Sequence, residues 1–260
     1  MQSFSVKFYF TSCALEYLCC NLRNSTNVIF SELFEYFSKY FEKIRSKEKI
    51  LQTLNNLELF NRDDSLEKEI EKVNTVLINI LKSCFSFHRL PSKIIVYYYL
   101  IDIPFHYSVF LSKNPAKILI VTNKKNFVKN LFVHELLHVC YSLNFTSVKL
   151  PIEVLEAIFE WFAPYGKLCI KLGFSSFNDL ETRKKQIKEL YTYKAYILAP
   201  YFFKFKFLEN YNFESNVWEY IYFNLNDKEI RDEIKKIINL VRGSGFEPEP
   251  SAWQADVLPG

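Results

Sequence analysis

The chain has 260 residues, of which 49% are hydrophobic and 18% aromatic, and this excludes an intrinsically disordered protein and is enough to bury a sizeable core. The 33 basic and 29 acidic residues give a formal net charge of +4 and form no concentrated basic patch, so no nucleic-acid partner is expected. No stretch of 18 or more predominantly apolar residues is free of charged residues, which argues against a membrane-spanning helix.

The cysteines and the N-terminus bear on the cellular compartment. The six cysteines form no C-x-x-C pair, and the first 20 residues carry Lys7 and Glu16 within their apolar part, unlike a signal peptide. We therefore expect buried thiols in a cytoplasmic protein, with disulfides between some of the cysteines as the alternative.

Residues 1–90 are predicted to form an N-terminal region of one strand and several helices. Alternating apolar residues predict the strand: Phe4, Val6, Phe8 and Phe10. Two later sets have helical spacing: Ile29, Leu33, Phe37 and Phe41 in the first, and Leu66, Ile70, Val73, Leu77 and Leu81 in the second. A capping signal at residues 63–65 marks the start of the second helix.

Residues 91–242 are predicted to form the core domain. Three β-rich runs cover residues 93–101, 107–111 and 116–123, and two helical stretches follow at about 126–142 and 151–162. Helices fill most of the remainder. The order of helices, sheet and helices predicts an α+β fold, mostly helical, with a small sheet packed on the helix of residues 126–142.

The last stretch, residues 243–260, differs from the rest in composition. It holds three of the five glycines and three of the nine prolines. Most of its residues are encoded by GC-rich codons, whereas the residues before it have mainly AT-rich codons. In addition, DNA that resembles the T-arm of a transfer RNA gene would encode Gly-Phe-Glu-Pro. We expect a disordered tail and hypothesise that it is readthrough into such a gene, with an ordinary flexible terminus as the alternative.

The sequence His134-Glu135-Leu136-Leu137-His138 holds two of the four histidines of the chain. On an α-helix, residues i and i+4 share a face, so both imidazoles can reach one ion while Glu135 points toward the same cleft. This is the geometry of an H-E-x-x-H zinc site. The alternative is a buried apolar helix, but two imidazoles and a carboxylate buried together without an ion would be costly.

A third ligand is expected on the next helix, within LPIEVLEAIFEWFAPYG, residues 150–166. Its carboxylates are Glu153, Glu156 and Glu160, of which Glu156 and Glu160 are four apart and share a face. The alternative is an amphipathic helix with a solvated acidic stripe. It fits poorly because the apolar residues of the stretch leave the acidic face narrow.

Residues 120–165 resemble the gluzincin metallopeptidases, the thermolysin-like and aminopeptidase-like branch of the zincins. In that branch a glutamate ligand follows the second histidine by some twenty residues, within a pattern similar to E-G-x-A-E-[YW]. Here Glu156 follows His138 by 18 residues, and Ala157 and Phe159 replace the frequent glycine and small residue. The resemblance implies Glu156 as the third zinc ligand and Glu160 as the acceptor of a ligand imidazole's ring N–H; Glu153 is the competing ligand.

The resemblance also implies zinc-dependent peptide hydrolysis, with Glu135 as the general base that takes a proton from the zinc-activated water. Tyr193 and Tyr196 are the candidates for donating to the oxyanion, although packing roles are the alternative. Residues 116–123 are a candidate edge strand for a peptide substrate, with an internal strand equally compatible. Two other readings stay open: a catalytically silent zincin-fold binding or regulatory protein, and a structural domain with a chance motif.

Overall fold

The fold was taken from a computed structural model, which describes residues 3–11, 61–100, 107–145, 152–163, 167–174, 210–232 and 235–236. Five strands run in chain order: β1 (Ser5–Thr11), β2 (Asn61–Arg62), β3 (Lys93–Leu100), β4 (Tyr107–Lys113) and β5 (Ala116–Thr122). Five helices have both ends defined within the described ranges: α1 (Asp64–Ser83), α2 (Val128–Asn144), α3 (Ile152–Phe162), α4 (Lys167–Lys171) and α5 (Val217–Leu225). Residues 228–232 are also helical. The chain is therefore α+β, as the order of the sequence patterns predicts.

The five strands form one mixed sheet in the order β2-β1-β3-β5-β4. The central strands β1, β3 and β5 are parallel, whereas β2 and β4 pair antiparallel at the two edges. One face of the sheet carries the main core, in which Phe8, Val96 and Ile118 are fully buried and occupy adjacent positions of the ladder. The helices α1 and α2 contact this sheet and each other, and an ion pair of 2.6 Å joins Lys129 to Glu69.

Helix α1 confirms the predicted periodicity and capping signal. Asp63 is its N-cap, and its carboxylate accepts from the backbone N–H groups of Ser65 and Leu66 at 3.1 and 3.2 Å. These bonds satisfy donors that have no partner within the helix. The buried positions lie on one face, as a surface helix requires: they include Leu66, Ile70, Leu77 and Leu81.

Helix α2 contains the H-E-x-x-H sequence and is buried on almost every side. A 3₁₀ turn, Lys125–Phe127, leads into it from β5, and all residues from Asn130 to Tyr141 are buried. The helix packs against β4 and β5 and against α3. Its all-round apolar sequence is therefore the packing of a helix that lies inside the core.

Of the two alternatives that the sequence left open for residues 116–123, an edge strand or an internal strand, the structure shows the internal strand. Strand β5 lies inside the sheet, parallel to β3 on one side and antiparallel to β4 on the other. The hairpin at Asn114–Pro115 places β4 on the side of β5 that faces away from β3. Strand β4 is therefore the edge strand beside α2. The physical reason is that β5 is apolar on both faces and is buried at six of its seven positions, which suits an internal strand.

The sheet crosses the domain boundary placed at residue 90, because β1 pairs with β3 along its whole length. The predicted helix of residues 29–41 and the tail of residues 243–260 lie outside the described residues. Three cysteines lie among the described residues, and all three are free, buried thiols: Cys84, Cys140 and Cys169. Within the described part of the chain, no helix is long and apolar enough to cross a membrane.

Candidate metal centre

The candidate site lies where α2 is covered by β4 and α3. Ser108 pairs with Ile120, and Phe110 pairs with Ile118. Because side chains alternate along a strand, Ser108 and Phe110 share the sheet face that α2 covers. Helix α3 contributes Phe159 and Glu160, both buried. Three elements that are separate in sequence thus meet around the H-E-x-x-H sequence.

The two imidazoles of α2 converge. The Nε2 atoms of His134 and His138 lie 3.0 Å apart, and the ring centres are 4.7 Å apart. The exposed fractions of these residues are only 3% and 8%. Two zinc–nitrogen bonds of about 2.1 Å at a tetrahedral angle would place two ligand nitrogens about 3.4 Å apart. The pair therefore fits two ligands of a zinc ion after a shift of a few tenths of an ångström.

The carboxylate of Glu135 lies beside this pair. Its Oε1 atom is 3.9 Å from Nε2 of His134, and the exposed fraction of Glu135 is 3%. The hydroxyl of Ser108 donates to the same Oε1 atom at 2.7 Å. A buried carboxylate is thus fixed next to the two nitrogens that face each other.

Glu160 approaches the opposite side of the imidazole pair. Its Oε1 atom lies 3.9 Å from Nδ1 of His134, and both side chains are buried. This distance exceeds that of a direct hydrogen bond, but the carboxylate faces the ring nitrogen that the resemblance assigns to it. Glu156 lies in α3 one turn before Glu160, and Glu153 lies in the same helix. The side chains of Glu153 and Glu156 are outside the described set.

Aromatic rings pack directly against the imidazoles. Phe159 meets His138 edge to face, with ring centres 4.7 Å apart, and lies 6.4 Å from His134. Phe110 of β4 stacks on His138 at 6.2 Å. Phe159 stands where the gluzincin pattern has a small residue, and here its ring fills the space against both imidazoles. These contacts restrict the rotation of the rings.

Burial also determines the state of a nearby thiol. Cys140 lies two residues after His138, and burial raises its pKa well above the usual range of a thiol. The thiol of Cys140 is therefore neutral in the absence of a metal ion.

Several predicted site residues are not brought together by the described part of the structure. The predicted oxyanion donors Tyr193 and Tyr196 lie outside it, and so does His106, a histidine for which no site role is predicted. His88 is described and is exposed. Among the described residues, no three His, Cys, Asp or Glu side chains are grouped so that they could hold a metal ion. The described imidazole pair would supply two of the three predicted zinc ligands, and the side chain of the predicted third, Glu156, is outside the described set.

Sequence reasoning missed Ser108 and Phe110. The available signal was the alternation in YSVFL, residues 107–111, which puts the two residues on one face of a strand. Nothing local in the sequence connects that face to a helix that begins at Val128.

No family model matches the chain, no curated protein matches its sequence, and no solved structure matches its fold.

Proposed function

We propose that this chain is a zinc-dependent peptidase. The observation that carries the proposal is the convergence of the Nε2 atoms of His134 and His138 at 3.0 Å, with the buried carboxylate of Glu135 3.9 Å from the first of them. Two imidazole nitrogens and a carboxylate are the groups that an H-E-x-x-H peptidase needs at this spacing. The sequence resemblance to gluzincins adds the downstream glutamate.

In this proposal His134, His138 and Glu156 hold the zinc ion, and Glu160 orients His134 through the Nδ1 side of its ring. When bound, zinc supplies an activated water and polarises the peptide carbonyl. Glu135 accepts the proton of the attacking water and returns it to the leaving amine. This role is supported by the burial of the Glu135 carboxylate 3.9 Å from Nε2 of His134. Tyr193 and Tyr196 remain the proposed donors to the oxyanion.

We also propose that the core is zincin-like and that β4 aligns the substrate. The supporting arrangement is a mixed sheet with α2 packed on it and an antiparallel edge strand directly over the motif. An extended peptide can add to such an edge by backbone hydrogen bonds, which would bring its scissile bond close to Glu135. Peptide binding at β4 replaces the earlier hypothesis of binding at residues 116–123.

A second candidate is a zincin-fold protein that holds zinc without hydrolysing peptides. The burial of the site favours it, because both imidazoles and Glu135 are more than nine-tenths buried and Phe159 packs on the ligand rings. Such a protein would use zinc for stability or regulation.

Metal content and the Glu135→Gln variant test the proposal together. The purified chain should contain about one equivalent of zinc, and a chelator should lower its thermal stability. Glu135→Gln should keep the zinc and reduce cleavage of a peptide library by roughly 10²- to 10⁴-fold. Bound zinc without cleavage in the wild type would favour the second candidate. Less than about half an equivalent of zinc, with no chelator effect, would reject both.

A further inference from the structure

The hydroxyl of Ser108 forms a hydrogen bond between the edge strand and the carboxylate of Glu135. It donates to Oε1 at 2.7 Å, within the range of a hydrogen bond to a charged acceptor. The same Oε1 atom lies 3.9 Å from the Nε2 atom of His134. The hydroxyl thus holds the oxygen that faces the imidazole pair.

We propose that Ser108 is a positioning residue for Glu135. This inference rests on the proposed function, and it assigns to β4 a role in catalysis that is separate from binding the peptide backbone. Ser108 keeps the carboxylate of Glu135 in one orientation, with Oε1 turned toward the imidazole pair where the proton is to be accepted.

The chemistry of the glutamate side chain explains why such a partner is needed. The terminal torsion of a glutamate is broad and nearly twofold, so a carboxylate without a fixed donor samples many orientations. A displacement of about 1 Å from the productive geometry can cost roughly 100-fold in rate. One hydrogen bond from a rigid strand removes this freedom before the substrate arrives.

A hydroxyl is also better suited to this task than a cation. A lysine or arginine at position 108 would orient the carboxylate, but it would bind the negative charge as an ion pair and compete with the proton. The neutral O–H donor of Ser108 leaves the charge available. Glu135 forms no ion pair with a lysine or arginine among the residues that the structure describes.

The alternative is a purely structural role, in which the hydrogen bond from Ser108 only stabilises the packing of β4 on α2 (a fastening role). The two roles differ in their kinetic effect, because a fastening role changes stability and leaves the turnover of the folded enzyme intact. Ser83 gives a matched control outside β4: its hydroxyl donates to the backbone carbonyl of Asn79 at 2.7 Å within α1.

The kinetic experiment uses the zinc-loaded full chain and a peptide from the library that the wild type cleaves. Ser108→Ala should lower kcat about tenfold while KM stays within about twofold. Ser108→Thr, which keeps the hydroxyl, should restore most of kcat. Ser83→Ala should leave both constants unchanged. Equal kcat for Ser108→Ala and wild type overturns the inference, and so does an equal loss of kcat in Ser83→Ala.

A second readout does not depend on activity. Ser108→Ala should shift the urea midpoint of the wild type but not that of a Glu135→Ala background, because the two side chains then no longer interact. If Glu135→Ala does not fold, a crystal structure of Ser108→Ala replaces this cycle, and the carboxylate of Glu135 should then occupy more than one orientation. A single unchanged orientation, or equal midpoint shifts in both backgrounds, overturns the inference.

The outcomes separate this inference from the proposed function. If Glu135→Gln abolishes cleavage while Ser108→Ala does not reduce it, the function stands and the inference is wrong. If the wild type binds zinc but cleaves no peptide, the proposed function fails and the role assigned to Ser108 fails with it.

Discussion

Glu67 and Glu135 are equally buried, each with an exposed fraction of 3%, but they have different partners. The carboxylate of Glu67 accepts from the Lys7 ammonium at 3.2 Å and from Nε of Arg62 at 2.9 Å. That of Glu135 accepts from a neutral hydroxyl and lies near an imidazole. A buried carboxylate that cations neutralise is structural, whereas one held by a neutral donor beside imidazoles can take part in proton transfer.

The largest effect should come from removing either of the two imidazoles near Glu135, which have no counterpart near Glu67. His134→Phe or His138→Phe keeps a ring of similar size and should reduce the zinc content from about one equivalent to almost none. Elemental analysis after dialysis measures this. His88→Phe is the matched control, because His88 is exposed and lies outside α2. Equal zinc content in all three variants would show that the imidazoles beside Glu135 do not bind zinc.

The next effect concerns the ion-paired carboxylate, Glu67, whose substitution should change stability and not zinc content. Glu67→Gln should lower the free energy of unfolding by about 2 kcal/mol, since it weakens hydrogen bonds to charged groups across β1 and α1. It should leave the zinc content unchanged. Urea unfolding and metal analysis on the same sample measure both. A loss of zinc in Glu67→Gln would show that the two regions are coupled.

A smaller effect is expected from the aromatic contacts of the site. Phe159→Leu should destabilise the fold by about 1 kcal/mol and weaken zinc binding several-fold, because the imidazoles gain rotational freedom. Competition with a chelator measures the affinity. Phe85→Leu is the control: Phe85 is fully buried and packs against Phe162 and Trp218. It should lower stability alone, and a matching loss of zinc affinity would contradict a specific role for Phe159.

The smallest effect is the pH dependence of the ion-paired region. Burial raises the pKa of Asp63 and of Glu67, but the hydrogen bonds from Lys125 and Tyr98 to Asp63, and from Arg62 and Lys7 to Glu67, outweigh it and hold both below their usual values. These depressed values stabilise the fold above the unfolded-state pKa of each group, roughly 4. The stabilisation is lost as the pH falls through the lower folded values.

The urea midpoint should therefore decrease between about pH 5 and pH 3. Asp63→Asn combined with Glu67→Gln should flatten this decrease, and asparagine keeps an acceptor for the cap of α1. An unchanged slope in the double variant would show that other groups cause the acid sensitivity.

The sequence was sufficient to predict the elements that carry a strong local pattern. Helix α1 follows from its apolar spacing and the Asp63 cap, and α2 follows from the H-E-x-x-H sequence and its apolar surroundings. The shared face of His134 and His138 is a property of any α-helix, so their convergence required no knowledge of the tertiary fold.

The order of strands was beyond prediction from local patterns. The edge position depends on which strand pairs with β3, and both β4 and β5 had suitable composition. The apolar run of β5 on both faces was the signal for an internal strand. The contact between Ser108 and Glu135 spans 27 residues and exists only because that pairing turns β4 outward over α2.

The parallel pairing of β1 with β3 fixes when the core can form during synthesis. Ser5 lies opposite Lys93, a separation of 93 − 5 = 88 residues. Strand β1 therefore leaves the ribosome well before β3 and has to wait for it while the intervening chain is made. Strand β5 and then α2 follow directly after β3, so the two histidines emerge just as the sheet that will cover them becomes complete.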